Sequence, residues 1–173
     1  MIKTKMRLIA FILATLVAGT LVAGSPAAAQ SWMEYSYPDY AFTVSFPAEP
    51  KVETTTYRLA DGGAAPARVY TAAQDGGVFK LTIAKLDPAM EERAVIDHAV
   101  KALAKTGEIK VNIEHRINWN YGRQLSVAGA DGRYSLVALF YYKQRLYQIE
   151  GKVPSNNSTG DAVRFQQSLT FTD

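Results

Sequence analysis

The chain has no cysteine. That excludes a disulfide framework, a thiolate nucleophile and a cysteine-ligated metal, so stability has to come from a hydrophobic core. Histidine is nearly absent too: only His98 and His115 occur, and neither has a second histidine at ligand spacing. There is no nucleophile elbow, phosphate loop, zinc helix or dinucleotide fingerprint. Asp61-Gly62-Gly63 and Asp75-Gly76-Gly77 look like calcium-loop fragments. Each lacks the alternating acidic ligands that should follow, and both read as turns. No internal repeat, low-complexity tract or linker interrupts the chain. These absences point to a protein that is not an enzyme and has no metal, no cofactor and no catalytic residue.

An excess of charge is missing as well, once the N-terminus is set aside. Lys3, Lys5 and Arg7 precede an apolar run from Leu8 to Val22, and Ala27-Ala28-Ala29 supplies small residues for cleavage. This is the pattern of a secretory signal peptide over residues 1–29. A membrane anchor is the weaker reading, because the run is short for a span and no charge follows to stop transfer. The whole chain has 19 Lys and Arg against 16 Asp and Glu. Removing Lys3, Lys5 and Arg7, with no acid lost, leaves sixteen against sixteen. The basic balance thus belongs to the signal, and composition gives no support for nucleic-acid binding or for stable membrane anchoring after cleavage. The expected address is periplasmic or secreted. Residues 30–173 are enough for one domain with a sizeable core.

The organising stretch is Tyr121 to Val153, which reads as three consecutive antiparallel strands. Asp131-Gly132 suits a two-residue hairpin, and Lys143-Gln144 is a weaker turn signal. With two-residue loops, Leu125, Ala138 and Ile149 share a row, and so do Val127, Leu136 and Gly151. Leu136 is then deep in the apolar face, and Arg123 lies by the rings of Phe140 and Tyr147. Tyr134 to Tyr142 is apolar on both faces, the mark of a central, covered strand. Upstream, Trp32 to Asp39 reads as an aromatic lead-in, Phe42 to Phe46 as a half-buried strand, and Val52 to Leu59 as an exposed one. Two more strands flank Asp75-Gly76-Gly77. Asp87-Pro88 predicts a helix start, and Ile96, Ala99, Val100 and Leu103 its buried stripe. Ile109, Val111, Ile113 and Ile117 alternate with polar residues in one long strand. A short helix over about Thr159 to Leu169 presents Ala162, Phe165 and Leu169. The fold class is α+β: an antiparallel sheet of about seven strands with helices packed on both faces.

Candidate sites are few. His98 lies opposite its helix's apolar stripe and is expected to face water. His115 falls on the apolar face of its strand, where a partly buried histidine with a local hydrogen bond is the simpler reading and a base or ligand the sharper one. A hydrolase or small-ligand carrier with a site near His115 is the alternative function. The reverse face of the three-stranded unit pairs Val137 and Leu139 with Gln124, Ser126, Gln148, Glu150 and Lys152. An apolar strip with a polar rim is the anatomy of a recognition surface, so these five polar residues are the partner-binding candidates.

Tyr40-Ala41-Phe42-Thr43-Val44-Ser45-Phe46-Pro47, with Pro50 beyond, resembles the opening of the PsbP-like and DcrB-like superfamily of small exported proteins. Gln144-Arg145-Leu146-Tyr147 is similar to its penultimate strand, and Phe165-Gln166-Gln167-Ser168-Leu169 to its closing helix. The resemblance implies an α/β/α sandwich in non-enzymatic proteins that assist assemblies, and it brings no catalytic residues. The expected function is a binding or accessory role in the bacterial cell envelope, with an unidentified envelope protein as partner.

Overall fold

The computed structural model describes residues 32–172. The signal peptide expected over 1–29 lies outside them. The centre is β8 (Arg133–Tyr142), in which Val137, Ala138, Leu139 and Phe140 are all buried in succession. A strand can be apolar on both faces only if both are covered.

Seven antiparallel strands form the main sheet in the order β3-β4-β5-β9-β8-β7-β6. They are β3 (Lys51–Arg58), β4 (Ala64–Gln74), β5 (Gly77–Lys85), β6 (Gly107–Ile117), β7 (Asn120–Gly129), β8 and β9 (Arg145–Pro154). A second sheet has three strands in the order β1-β2-β10: β1 (Met33–Tyr37), β2 (Phe42–Phe46) and β10 (Thr170–Phe171).

The stack differs from the expected sandwich with helices on both faces. One face carries α1 (Glu92–Leu103), whose Ile96, Ala99 and Leu103 pack with Leu125, Val127, Val137, Leu139 and Leu146. The other is covered mainly by the second sheet. Phe42, Val44 and Phe46 meet Tyr70, Phe79, Leu81, Phe140 and Tyr147, and the two-turn helix α2 (Gly160–Gln167) adds Phe165. Trp32 to Tyr37, read as a lead-in, is the reason. Its residues pair with β2 along the whole of β1 and supply aromatic cover that a helix would otherwise give. Tyr37 stacks on Phe42 with ring centroids 4.9 Å apart, and Trp32 meets Phe79 edge-on at 5.2 Å.

Of the two hairpin signals, the weaker one holds and the stronger one fails. Lys143 and Gln144 form the two-residue turn, with φ of 44° and 59°, so Ala138 does face Ile149. Asp131-Gly132 does not form one. Only Gly132 takes a left-handed φ (69°), its N–H bonds to Gly129 O, and the loop becomes three residues. Leu125 therefore faces Val137, not Ala138. One residue of slip turns every β7 side chain over: Leu125 and Val127 go to the α1 face, and Gln124 and Ser126 to the other. Leu136 is only half-buried. Arg123 leaves the aromatic rings and donates to Asn112 Oδ1 at 2.8 Å.

Two further boundaries move. The helix starts at Glu92, not Asp87. Glu91 is the cap, its carboxylate accepting from the N–H groups of Arg93 and Ala94, while Asp87 caps a separate turn through Ala89 N–H. In β6 the register shifts between Ile109 and Val111. Ile109 points to the α1 side with Val127, whereas Val111 and Ile113 point to the opposite side with Ser126 and Gln124.

Helix α2 docks directly on β9 at Gly151. A Cβ there would lie 2.7 Å from Ala162 Cα and 2.9 Å from its Cβ. Gly151→Val should force the helix off the sheet and cost about 1–3 kcal/mol. A urea melt measures it, and an unchanged midpoint would show that the contact is dispensable.

Candidate functional site

The five polar residues expected to rim one surface lie on two. Gln148, Glu150 and Lys152 face α1. There they border a hollow of about 250 Å³ with Lys80, Leu103 and Thr106, and they are largely paired. Glu150 accepts from Ser135 Oγ at 2.9 Å and meets Lys80 Nζ at 3.1 Å; Lys152 meets Asp131 at 2.7 Å. Gln124 and Ser126 look the other way. Gln124 donates to Gln166 Oε1 at 2.8 Å, and Gln166 Nε2 donates to Val137 O at 2.7 Å, so α2 satisfies that amide.

The histidines also settle into packing contacts. His98 does not face open water. It is half-buried, its Nε2 sits 3.1 Å from Arg58 O, and it lines a narrow apolar groove of about 110 Å³ with Tyr57 and Met90. His115 is half-buried on β6, opposite Gly122, and its ring lies 5.6 Å from that of Phe140. Among the described residues no group of three or more His, Asp or Glu is placed to hold a metal.

Two features were missed. The first is the part of the sheet beyond the edge of α2 and the second sheet. Val111 and Ile113 are 44% and 53% exposed there on edge strand β6, with Gln124, Ser126 and half-buried Leu136 beside them. At the tip of the same hairpin Trp119 is 90% exposed. It sits with Asn118 in a turn where both φ are positive, 48° and 67°, a conformation that a bulky residue enters at a cost.

The second is a cleft of about 450 Å³ near the other edge of the main sheet. Thr54 (β3), Arg68 (β4) and Ile83 (β5) form one cross-strand row, and Lys85 (β5) pairs with Arg145 (β9) in the next. The rim is the short 3₁₀ turn Pro38–Tyr40, which presents Asp39 and Tyr40. Buried Tyr147 holds this rim by donating its hydroxyl to Tyr40 O at 2.6 Å. Ala41 makes the sharp exit with a φ of 54°. The Arg68 and Arg145 guanidinium carbons lie 5.0 and 5.7 Å from the centroid of the Tyr40 ring. Burial pushes the Tyr147 and Tyr70 hydroxyls up to about 12, against the opposite pull of Arg145 and Arg68, so both are neutral at ordinary pH.

Four strands and a turn thus bring together residues far apart in the chain. No family model matches the chain, and no curated protein does. Among solved structures it is similar to the solution structure of cyanobacterial PsbP (CyanoP) from Synechocystis sp. PCC 6803. The TM-score is 0.54 at 11% identity, over 88% of this chain and 99% of that one. The chain has a PsbP-like fold. At that identity the likeness concerns the fold alone. The stretches that carried the resemblance have structural weight in this chain: Phe42 to Phe46 is the central strand of the second sheet, Arg145 to Tyr147 opens β9, and Phe165 and Leu169 are buried. In this PsbP-like chain the cleft had no sequence signal beyond isolated basic residues at Arg68, Lys85 and Arg145. Their neighbourhood is created by strand order β4-β5-β9, in which β9 arrives from the far end of the chain.

Proposed function

We propose that the protein is an exported, non-enzymatic binding or accessory protein of the bacterial cell envelope, acting in the periplasm or after secretion. The observation that carries this reading is the uncovered edge of the sheet at β6. Val111 and Ile113 offer an apolar strip, Gln124 and Ser126 a polar border, and Trp119 an exposed aromatic anchor. Tryptophan is among the residues most enriched where recognition energy concentrates. The partner we infer is an envelope protein that lays an extended segment along β6. An edge strand has unpaired backbone groups on its outer side, and the strip beside it reads the segment's side chains. The PsbP-like scaffold and the Lys3 to Ala29 pattern support the same reading.

Two results test it. Exported protein should begin at Gln30 by mass spectrometry, with the small residues Ala27 and Ala29 directing cleavage; retention of residues 1–29 would remove the export argument. A partner retained by the mature protein should be lost by Ile113→Lys and by Trp119→Ala, both at exposed positions where the fold is expected to tolerate them. Equal retention by folded variants would remove the surface.

A further inference from the structure

We infer that the cleft between β3, β4, β5 and β9 is a binding site for a small soluble molecule with a dianionic head, of the organic phosphate class. Arg68, Lys85 and Arg145 put three cations along one cleft of about 450 Å³. Among the described residues none of the three is in an ion pair, although five pairs form elsewhere on the surface. The one acid at the cleft, Asp39, lies on the rim beyond ion-pair distance of them and leaves the positive charge in excess. Clustered like charges repel, and a concave wall strengthens their joint field, so the site favours an anion over water.

The kind of anion follows from the donors. Guanidinium groups offer planar forks that fit a phosphate or carboxylate through two N–H bonds each, and stacking on a ring occupies only their faces; Arg145 Nη1 also reaches Lys143 O at 3.5 Å, which leaves its other N–H groups for a ligand. Arg68 and Arg145 share the Tyr40 ring as their platform. That platform is fixed by the Tyr147 hydrogen bond, so the forks are partly preorganised. Lys85 adds a point charge next to Arg145 on the neighbouring strand. Two forks and an ammonium exceed what a single carboxylate can use and match the three oxygens of a phosphate monoester. The remaining wall, Pro66, Ala67 and Ile83, is apolar and suits a short carbon skeleton. The volume falls within the range of small-molecule sites.

Calorimetry with glycerol phosphate and with inorganic phosphate on the mature protein tests this. One saturable site per chain is expected, weaker for inorganic phosphate, which leaves the apolar wall empty. Arg68→Gln and Arg145→Gln should each weaken binding about ten- to a hundredfold, the effect of losing hydrogen bonds to a charged group. Lys101→Gln, on α1, should leave it unchanged. Amide shifts in the unaltered protein give a reading that needs no variant. They should cluster at Thr54, Arg68, Lys85 and Arg145. Shifts elsewhere, no saturation, or equal weakening by Lys101→Gln would overturn the assignment. So would binding to phosphatidylglycerol vesicles without binding to the soluble phosphates, because the source would then be a membrane surface.

Discussion

Val137→Asp should unfold the protein, whereas Leu136→Asp, one residue earlier, should leave it folded. Val137 is fully buried beneath α1, between Leu125 on β7 and Glu150 on β9. A carboxylate there loses its water without gaining a donor, which costs several kcal/mol, on the order of a whole domain's margin of about 5–15 kcal/mol. Glu150 worsens it: its charge is already taken up by Lys80 and Ser135, and a second acid alongside would be repelled. Leu136 points to the open part of the opposite face and is half-buried, so the same change should cost only about 1 kcal/mol. Circular dichroism and urea melts give the order directly. Equal losses would mean that Leu136 is covered after all.

Phe165→Ala should be nearly as damaging, by about 3–5 kcal/mol. This ring is the joint between the two sheets and α2. It is fully buried, with centroids 4.9 Å from Phe46, 5.5 Å from Phe79 and 6.3 Å from Trp32. Its removal leaves a cavity bordered by three elements that cannot close on it together. The fluorescence of Trp32 should move to the red as its pocket opens, while Trp119, already 90% exposed, should not respond. A loss under about 1 kcal/mol would mean that α2 is held by Gly151 and Gln166 and not by its aromatic side chain.

Periodicity made the main sheet readable, because burial imposes it: β8 was recognisable from four consecutive apolar residues, and α1 from Ile96, Ala99 and Leu103. The faces of β7 were not, because they depend on a single residue in a loop. Asp131-Gly132 has the composition of a tight turn but lies inside a longer one, while Lys143-Gln144 forms the tight turn without Gly or Asn, held by the strands on either side. The bulge near Lys110 was hidden for a related reason. Ile109 and Val111 keep an unbroken alternation, and only the partner strand shows that they point to opposite sides. Of the five candidate site residues, the sequence grouped Gln148, Glu150 and Lys152 correctly, since β9 kept its register, and joined Gln124 and Ser126 to them wrongly. The cationic cleft was out of reach, since cross-sheet neighbours such as Arg68 and Arg145 leave no trace in local pattern.

The second sheet has a consequence for the order of events in folding. Its middle strand, β2, lies near the beginning of the described chain, and β10 is at the end: Phe42 pairs with Phe171. Ser45 N–H reaches Ser168 Oγ across 123 residues of sequence. Closing a loop of that length comes before any reward from the contact, which makes such pairings slow. Strands β5, β8 and β9 can assemble with α1 from the middle of the chain alone. Phe42, Val44 and Phe46 have no bed to lie on until β9 has joined β5, and no seal until the last residues arrive. The aromatic face of the main sheet is therefore the last to dry. A chain halted short of Phe171 would present Phe140 and Tyr147 to its surroundings, which makes that truncated form the one a chaperone would hold.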